Sequence, residues 1–562
     1  MDGGCRLDPK LTEFIPSAEV TCGMFYAELM ALLPTWMQRL QADPASLPQL
    51  EAEIQRQFIR GADLAVTGLM SWLIQQASFR QDRQRLRDES LTPLAPGRWR
   101  EVSVKLLGGL VMWVTSLYCQ PRTRAADRSS SADTLSDAAA APSAPAPSAP
   151  APSAPASDEP PLSGMNLGLA ALGFAKRTSG ALESKVALQV ALGPSIEFAR
   201  NQLGRDGVVL DEKAVRRIAL ECGESLLAVR QDELEQFRNG PLAAGSELAG
   251  LRVSVQYDGG RTRIRGDLKD RVSSPEPLDE LGLPPQDRPG RSRRVAAKTF
   301  EAPWREPKLL TLFVHDEHGR MNKTIRATID GTFAGPDALA EIIAMHLHRL
   351  GAAYAKSITF IADGAIWIWD RIATIKRLAK LDDVPTYEIL DGCHATHHVS
   401  GALKSLGLSE EGRLPLYREY RTLLRNGQWR RVVSELQGLA SDAQPKPAVW
   451  TEIAYLEKHG TAGRLSYPYF KGLGLPLGSG AIESSIRRVI NQRLKSNSTF
   501  WKVASAESML QLRSQLLTDR WDERHKSASR LRSRCGQTGY TGTCQSLLPP
   551  AVTPEANSAS TG

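Results

Sequence analysis

A stretch of low complexity divides the chain and limits the folds that it can adopt. Between Arg128 and Pro160 the sequence contains almost only Ser, Ala, Pro and Asp, and SAPAP begins at Ser143 and again at Ser148. Such a composition cannot bury apolar surface and favours extended polyproline conformations. We therefore predict a disordered linker over residues 121–161, with separately folded parts on both sides. A chain of 562 residues has room for about three to four domains.

The residues before the linker predict a helical module followed by a hairpin. Across residues 1–100, apolar side chains recur at helical spacing among Ala, Glu, Gln and Arg. In residues 101–120, apolar and polar side chains alternate on both sides of Gly108 and Gly109. That second pattern is typical of two strands joined by a Gly-Gly turn.

A second helical module is predicted after the linker, over residues 162–248. Within it, Asp211 is placed to cap a helix that carries Arg216 and Arg217. The segment resembles the recognition helix of a helix-turn-helix only weakly. An ordinary surface helix with two arginines is the alternative.

From residue 249 onward, strands alternate with helices, and this predicts an α/β domain. Its main strand candidates share β-branched residues and a terminal Asp/Gly turn: LRVSVQYDGG, KLLTLFVHDEHG, SITFIADG and TYEILDG. A further strand is predicted over 324–329, and the alternation favours a partly parallel sheet. The Pro-rich, charged segment 261–304 predicts a mobile insertion, and residues 535–562 predict a disordered tail.

Several features indicate a cytoplasmic protein without a membrane span. The N-terminal sequence MDGGCRLDPK lacks the basic and apolar regions of a signal peptide. The most apolar stretch, Val104 to Cys119, is shorter than the ~20 residues that a membrane helix needs, and Lys105 interrupts it. The seven cysteines are odd in number and contain no CxxC pair, which suits a reducing compartment.

Three carboxylates lie at the ends of predicted elements. Asp258 ends VSVQYDG, Asp363 ends ITFIADG, and Glu483 lies at the start of a predicted helix. Carboxylates at strand ends line clefts in open α/β sheets, and three oxygen ligands suit Mg²⁺ or Mn²⁺. Two such ions, about 3.5 to 4 Å apart, activate a nucleophile and stabilise the leaving oxygen at a phosphodiester. For each acid taken singly, a turn or a surface ion pair is the alternative.

The predicted helix that carries Glu483 combines an acidic and a basic side chain on one face. Ser479 is placed to cap its N-terminus. Glu483, Arg487, Asn491 and Lys495 follow one another at intervals of four residues. We therefore predict a single polar stripe that begins with a carboxylate and continues with phosphate-binding groups.

Four segments together resemble a bacterial insertion-sequence transposase of the DDE superfamily, most similar to the Kra-type group, with Mutator-like relatives. They are VQYDGG, FIADGAIWIWD, YEILDGCHATHHV and GLPLGSGAIESSIRRVINQRLKS. The resemblance extends from about Leu162 to Glu523. It implies an α/β fold with an RNase H-like catalytic domain over 249–392 and 476–525, a helical insertion over 393–475, and mainly helical modules before it.

The resemblance also implies roles for single residues. Asp258, Asp363 and Glu483 match the catalytic and metal-binding triad, and the implied cofactor is a pair of Mg²⁺ or Mn²⁺ ions. Asp391 and His394 match an Asp-x-x-His motif of Mutator-like enzymes, which implies a supporting role near the scissile phosphate.

A zinc site and a capped helix start with exposed histidines are the two other interpretations of this region. The available zinc ligands would be Cys393, His394, His397 and His398.

The implied function is a DNA transposase that cleaves at terminal inverted repeats and joins the freed ends to target DNA. Its implied partner is double-stranded DNA, and it would act in the nucleoid as a homo-oligomer that pairs two ends. The residues expected to bind DNA are Arg216, Arg217, Arg487, Arg488, Arg493 and Lys495. The alternatives are an inactive, transposase-derived DNA-binding protein and an RNase H-like nuclease or resolvase.

The net charge of the chain is concentrated near the third acid. Residues 487–534 contain twelve Lys and Arg but four Asp and Glu, so this segment accounts for the whole net charge of +8. A clustered basic excess indicates nucleic acid as a partner.

Overall fold

The structure is a computed structural model. It describes residues 18–88, 94–120, 164–174, 176–266, 302–442, 447–495 and 500–535. The predicted linker over 121–161, most of the predicted insertion over 261–304 and the tail beyond residue 535 lie outside these ranges. The chain divides into two compact units, Met1–Val229 with Asp522–Ser546 and Arg230–Trp521 with Leu547–Gly562.

The first unit begins with three helices, as the sequence predicts. They are α1 (Ala18–Ala42), α2 (Leu47–Gln75) and α3 (Ala77–Asp88). The side chain of Asp43 accepts a hydrogen bond from the Ala45 amide at 3.0 Å in the turn between α1 and α2. Phe25 and Phe58 form an edge-to-face contact between these two helices, with 5.6 Å between ring centroids. The contact covers only part of the apolar surface of these helices, since Phe58 is still 53% exposed.

The predicted hairpin follows, and it packs on α2. Its strands are β1 (Arg98–Lys105) and β2 (Val111–Cys119), and Lys105 lies opposite Val111. Gly109 has a φ of +89°, a value that glycine adopts without strain. A third strand, β3 (Met165–Asn166), pairs antiparallel with β2. Two residues are too few to produce a recognisable strand pattern, so the sequence did not predict β3.

Four more helices complete the chain up to the division between units. They are α4 (Leu167–Ala171), α5 (Gly180–Leu192), α6 (Ile196–Arg205) and α7 (Glu212–Asn239). Asp211 Oδ1 accepts a hydrogen bond from the Ala214 amide at 2.6 Å, so the predicted cap of α7 is confirmed. The division between units falls within α7, between Val229 and Arg230, rather than at the predicted boundary at residue 248.

The second unit is built around a mixed five-stranded sheet. The strands of this unit, in chain order, are β4 (Arg252–Gly259), β5 (Thr262–Arg263), β6 (Trp304–Arg305), β7 (Lys308–Val314), β8 (Thr328–Thr332), β9 (Ser357–Ala362) and β10 (Thr386–Leu390). The order in the main sheet is β10-β9-β4-β7-β8, and the short strands β5 and β6 form a separate ladder. The first three strands of that order are parallel, and β7 and β8 are antiparallel to their neighbours.

One predicted strand lies a few residues later than expected. The sequence predicted a strand over 324–329, whereas β8 covers Thr328–Thr332. Asn322 Oδ1 accepts hydrogen bonds from both the amide and the hydroxyl of Thr324, at 2.9 and 2.7 Å. These two hydrogen bonds hold Thr324 in a local turn with Asn322, so sheet pairing begins only at a later residue.

Helices cover both faces of this sheet. The helices that follow β8 in the second unit are α8 (Pro336–Arg349), α9 (Ile366–Trp369), α10 (Ile372–Leu378), α11 (Gly392–Ser405), α12 (Glu410–Arg425), α13 (Trp429–Asp442), α14 (Ala448–Thr461), α15 (Tyr467–Gly472), α16 (Gly480–Ile486) and α17 (Val503–Leu517). The last helix of the chain, α18 (Trp521–Cys535), belongs to the first unit from Asp522 onward. The run from α11 to α15 corresponds to the predicted helical insertion. Within the described residues, no helix is both long and apolar enough to span a bilayer.

A buried ionic network joins four elements of the second unit: the end of α7, strand β8, and helices α8 and α17. Arg230 donates to Asp330 Oδ1 and to Glu507 Oε1, both at 2.9 Å, and also to the Gly331 carbonyl at 2.7 Å. His346 Nε2 lies 2.9 Å from Asp330 Oδ2. Burial alone would raise the pKa of Asp330, but Arg230 and His346 hold it below its ordinary value. The network therefore depends on each of its charges having a partner.

Replacing Asp330 by Asn removes one charge from this network and leaves Arg230 only partly compensated. We expect Asp330→Asn to lower the free energy of unfolding by about 3 kcal/mol, because an incompletely paired buried charge is costly. Chemical denaturation of the full chain measures this change. Asp337→Asn is the matched control, since its ion pair with Arg371 lies at the surface and contributes at most about 1 kcal/mol. Equal effects of the two substitutions would contradict the prediction.

Candidate active site

The pairing of three parallel strands brings three carboxylates to one edge of the sheet. Gln256 of β4 lies opposite Ile361 of β9, and Ala362 of β9 lies opposite Leu390 of β10. Continuing this register past the ends of the strands places Asp258, Asp363 and Asp391 side by side. Neighbouring strands are about 4.8 Å apart, and residues at matched positions point to the same face. The three carboxylates therefore lie in a row on one face of the sheet.

The surroundings of Asp258 shift its pKa. Burial and the Asp363 carboxylate raise the pKa of Asp258 to about 6, although the Gly259 amide donates to its Oδ1 at 2.6 Å. The imidazole of His394 acts in the opposite direction, and Glu306 acts with Asp363. A cation bound between Asp258 and Asp363 would remove the repulsion that raises this pKa.

Asp363 lies on a short loop that two aromatic side chains hold in place. Its Oδ1 accepts a hydrogen bond from the Ala365 amide at 3.0 Å, and its carbonyl accepts one from Trp369 Nε1 at 2.8 Å. The next residue, Gly364, lies directly against Tyr455 of α14, and a Cβ there would be 2.0 Å from the Tyr455 ring. A glycine is required at this position because any side chain would displace the loop.

Asp391 connects two helices and has no free oxygen to offer a metal ion. Its Oδ1 accepts from the amides of Cys393 and His394 and so caps α11. Its Oδ2 accepts from both the amide and the hydroxyl of Ser479. The side chain is 1% exposed. We therefore interpret Asp391 as a residue that positions the start of α16, while half-buried His394 lies near Asp258.

Helix α16 is anchored to the sheet by Gln256 rather than by its own N-terminal serine. Gln256 Nε2 donates to the Gly478 carbonyl at 3.0 Å, and Gln256 Oε1 accepts from the Ile482 amide at 3.1 Å. Ser479 occupies the N-cap position, as the sequence predicts, but its side chain makes no capping hydrogen bond. Its hydroxyl is directed to Asp391 and to Glu483, whose Oε1 lies 3.2 Å away.

Glu483 lies at the surface of α16, on the side toward Asp391. It contributes, after Asp391 and burial, to raising the pKa of the Cys393 thiol. The three predicted catalytic acids do not form a closed cluster: among the described residues, one set of three such side chains has its ligand atoms within 4.8 Å of one another, and Glu483 is not in it. Acids that bind different ions of a pair do not need to be that close.

The closed cluster that the structure does contain consists of Glu183, Cys222 and His525 in the first unit. Both oxygens of Glu183 accept hydrogen bonds from Arg532, at 2.8 and 2.7 Å, and His525 Nε2 lies 3.1 Å away. Burial raises the pKa of Cys222 well above its ordinary value, so the thiol is protonated. A bound cation would have to compete with the Arg532 guanidinium, and we interpret this cluster as a buried ion pair.

The chain after α16 does not continue as a regular α-helix. Residues Arg487–Asn491 form a π-helical turn, in which the Gln492 amide donates to the Arg487 carbonyl at 3.0 Å. Arg513 donates to the Arg488 carbonyl, with Nε at 2.8 Å, and takes over an acceptor that a regular helix would use. The predicted four-residue stripe from Glu483 to Lys495 is therefore wrong, because the period changes within it and Lys495 lies beyond the last helical residue.

The residues that the sequence predicted to hold phosphates differ in exposure. Arg487 and Lys495 are exposed, and Arg488 is half-buried. Arg493 is only 6% exposed and lies over the Trp501 ring. Burial and nearby Arg513 lower its pKa to about 10. Arg493 is therefore not placed at the surface for a phosphate, since its aliphatic stem and guanidinium pack inside the unit.

Several other residues of the basic segment are also internal. Arg513, Arg520, Arg524 and Arg532 are each at most 8% exposed. Arg520 pairs with Glu247 at 2.5 Å, and Arg532 belongs to the Glu183 ion pair. The predicted basic cluster thus does not form one continuous surface.

The two arginines of the helical module are exposed on α7. Arg217 pairs with Glu221 at 3.0 Å, as an ordinary surface helix would allow, and Arg216 is exposed beside it. Both interpretations of this helix, recognition helix and ordinary surface helix, predict such exposure.

The histidines that follow Asp391 are not gathered around a single point. His398 stacks on Tyr455 with 3.5 Å between ring centroids, and its Nδ1 is hydrogen-bonded to Glu452. His397 and Cys393 are exposed. Among the side chains that the structure describes, these residues form no three-ligand cluster, so the zinc interpretation gains no support.

Sequence reasoning missed two residues next to the carboxylates. Glu306 reaches the Asp258 turn so closely that a Cβ on Gly259 would lie 1.9 Å from its Oε1, and it pairs with Lys308 at 3.0 Å. It follows the Pro-rich segment, where no strand pattern pointed to it. Gln256 lies two residues before Asp258, and strand alternation alone would have placed both on one face.

Comparisons with known proteins assign no family. Searches among protein-family models, curated proteins and solved structures found no match. The site is therefore interpreted from its residues, its geometry and the resemblance of its motifs.

The raised pKa of Asp258 predicts a pH-dependent cost to stability. Between the ordinary value of 3.8 and about 6, the native state binds more protons than the unfolded state, so the free energy of unfolding falls as pH rises through this window. We expect Asp258→Asn to raise that free energy by ~2 kcal/mol at pH 8 in chelator, with no gain near pH 4. Urea titrations at both pH values measure the difference. A variant no more stable than wild type at pH 8 would contradict it.

The contact between Gly364 and Tyr455 predicts a steric effect. Gly364→Ala would place a methyl group about 2 Å from the Tyr455 ring, and we expect a loss of roughly 1 to 3 kcal/mol from overpacking. Thermal unfolding measures this loss, and Tyr455→Ala in the same chain should restore part of it. Gly438→Ala is the matched control, because no atom lies within 4 Å of its Cβ position in α13. If the effects of Gly364→Ala and Tyr455→Ala on the free energy of unfolding were fully additive, the contact between these two residues would be ruled out as the cause.

Proposed function

We propose that this protein is a DDE-type DNA transposase with an RNase H-like catalytic domain. The observation that carries the proposal is the parallel register of β4 and β9, whose continuation beyond the last residue of β9 aligns Asp258 with Asp363. These two acids are 105 residues apart in sequence, the same offset that pairs Gln256 with Ile361. The motif resemblance names the same two residues for an independent reason.

The residues present fit hard divalent cations. Asp258 and Asp363 are neighbouring carboxylates at a sheet edge, and Glu483 is an exposed carboxylate on a helix anchored beside them. Oxygen ligands of this kind suit Mg²⁺ or Mn²⁺. When bound, two such ions would activate water or a 3′-hydroxyl and stabilise the leaving oxygen of a phosphodiester.

The protein's own residues then have distinct tasks. The sheet fixes the positions of both carboxylates, because Asp258 lies near the end of β4 and Asp363 directly follows buried β9. Asp391 and Ser479 fix the start of α16, and so determine where Glu483 stands. Preorganisation of this type avoids the cost of moving ligands during the reaction.

Phosphate contacts would come from exposed cations near this site. Arg487 and Lys495 are exposed after Glu483, and Arg488 is half-buried beside them. Their partner would be double-stranded DNA at the inverted repeats and at the target. His394, close to Asp258, would support the site through its ring nitrogens. Two transposon ends require two active sites, so the reacting species would be a homo-oligomer bound to DNA in the nucleoid.

A cleavage assay tests the proposal directly. The substrate is a plasmid carrying the DNA that flanks the gene, incubated with the full chain and Mg²⁺ or Mn²⁺. We expect nicking at inverted repeats and joining to target DNA, both reduced at least about 1,000-fold by Asp363→Asn, since a metal ligand is lost. Asp370→Asn, an exposed residue on the same crossover, is the matched control.

The possible outcomes separate the alternatives. Equal activity of wild type and Asp363→Asn would contradict the assigned site. Nicking without joined products would indicate a nuclease or resolvase. Salt-sensitive DNA binding without metal-dependent nicking would indicate an inactive, transposase-derived DNA-binding protein.

A further inference from the structure

A cavity of about 630 Å³ lies in the second unit, on the opposite side of α16 from Glu483. Its floor is the sheet, where Gln256, Thr311 and Ile329 line it. Its sides are the loop between β7 and β8, helix α16, and the end of α17.

The cavity opens on the same face of the sheet as the proposed catalytic acids. Gln256, which lines it, precedes Asp258 by two residues on β4, and residues two apart on a strand share a face. Ala481 and Ser485 of α16 line the cavity. Each is two residues from Glu483, and because each helical residue advances by about 100°, Glu483 lies on roughly the opposite side of the helix. The helix thus separates two adjoining sites on one surface.

The cavity is lined by more positive than negative charge. Lys323 and Arg326 come from the loop between β7 and β8, and Arg488 comes from the turn after α16. Asp519 is the one acid among the lining residues, and it lies 3.7 Å from Arg326 in an exposed pair. Because that pair is exposed, it offsets only part of the positive potential.

The remaining lining suits the sugar and base portions of a nucleotide. Asn322 and Thr518 provide polar groups, while Phe313, Met321 and Ile325 provide apolar surface. Cationic grooves that follow the phosphate backbone are typical of proteins that bind single strands. The volume is that of a small-molecule pocket, which holds one or two nucleotides but no duplex.

We propose that this cavity binds a short single-stranded DNA segment, with Lys323 and Arg326 on its phosphates. The inference rests on the proposed function, because the bound segment would be the strand that separates from the duplex next to the cleavage site. A segment held there would lie across α16 from Glu483. The cavity would then keep a separated strand from re-pairing while the other strand occupies the carboxylate site.

Salt-dependent binding of a single strand tests this proposal. The probe is a fluorescent oligothymidylate of about ten nucleotides, titrated with the full chain in chelator over a series of KCl concentrations. Each phosphate contact adds about 0.7 to the slope of log K against log salt for single strands. We expect Lys323→Gln with Arg326→Gln to lower the slope by about 1.4 and to weaken binding at least tenfold at low salt.

A matched pair of substitutions separates local contacts from general electrostatics. Lys356→Gln with Arg377→Gln removes the same charge from exposed positions of the second unit outside the cavity. We expect this control to keep the wild-type slope. An equal loss in both variants would overturn the proposal, and so would an unchanged slope in the cavity variant or a change seen only with duplex. The assay needs no catalysis, so it can fail while the cleavage experiment succeeds, and the reverse.

Discussion

The parallel pairing of β4, β9 and β10 is the constraint on which the candidate site depends. Parallel strands end at the same edge, so a carboxylate directly after each strand must meet its neighbours there. Asp258 and Asp363 illustrate the consequence, since burial and then the nearby Asp363 carboxylate raise the pKa of Asp258. The fold tolerates this unfavourable pair because its stability comes mainly from the apolar core on which the sheet packs. A site that repels its own charges in the absence of cations is one that cations stabilise.

Asp391 explains how a large helical insertion is compatible with a fixed third acid. The helices from α11 to α15 leave the sheet after Asp391 and return just before Ser479. The Asp391 side chain joins these two points, and the Gly392 amide also donates to the Leu477 carbonyl at 3.4 Å. The insertion therefore begins and ends at one place on the sheet. The length of this insertion has little effect on the position of Glu483, because α16 is anchored by Gln256, which belongs to the sheet.

The sequence predicted elements better than it predicted side-chain environments. Strands such as SITFIADG and TYEILDG combine β-branched residues with turn residues, and such local patterns predict a strand from neighbouring residues alone. Local patterns do not predict the burial of Arg493, since no residue next to it in the sequence indicates that it will pack against Trp501. The π-helical turn after α16 is similar, because it depends on Arg513, a residue far along the chain. The clamp of Gln256 on α16 likewise joins residues more than 200 positions apart.

The uneven exposure of the basic segment changes where DNA contacts should be sought. Five of its arginines are nearly buried. Arg520 and Arg532 pair with acids, and Arg493 lies over an aromatic ring, so these three do not face solvent to attract phosphates. The positive surface near the carboxylates must then come from fewer residues, chiefly those around α16 and the loop between β7 and β8. That loop contributes Lys323 and Arg326, which the charge count along the sequence did not single out. The electrostatic surface of this unit is therefore assembled from separate segments by the fold, and net charge per segment is a poor guide to it.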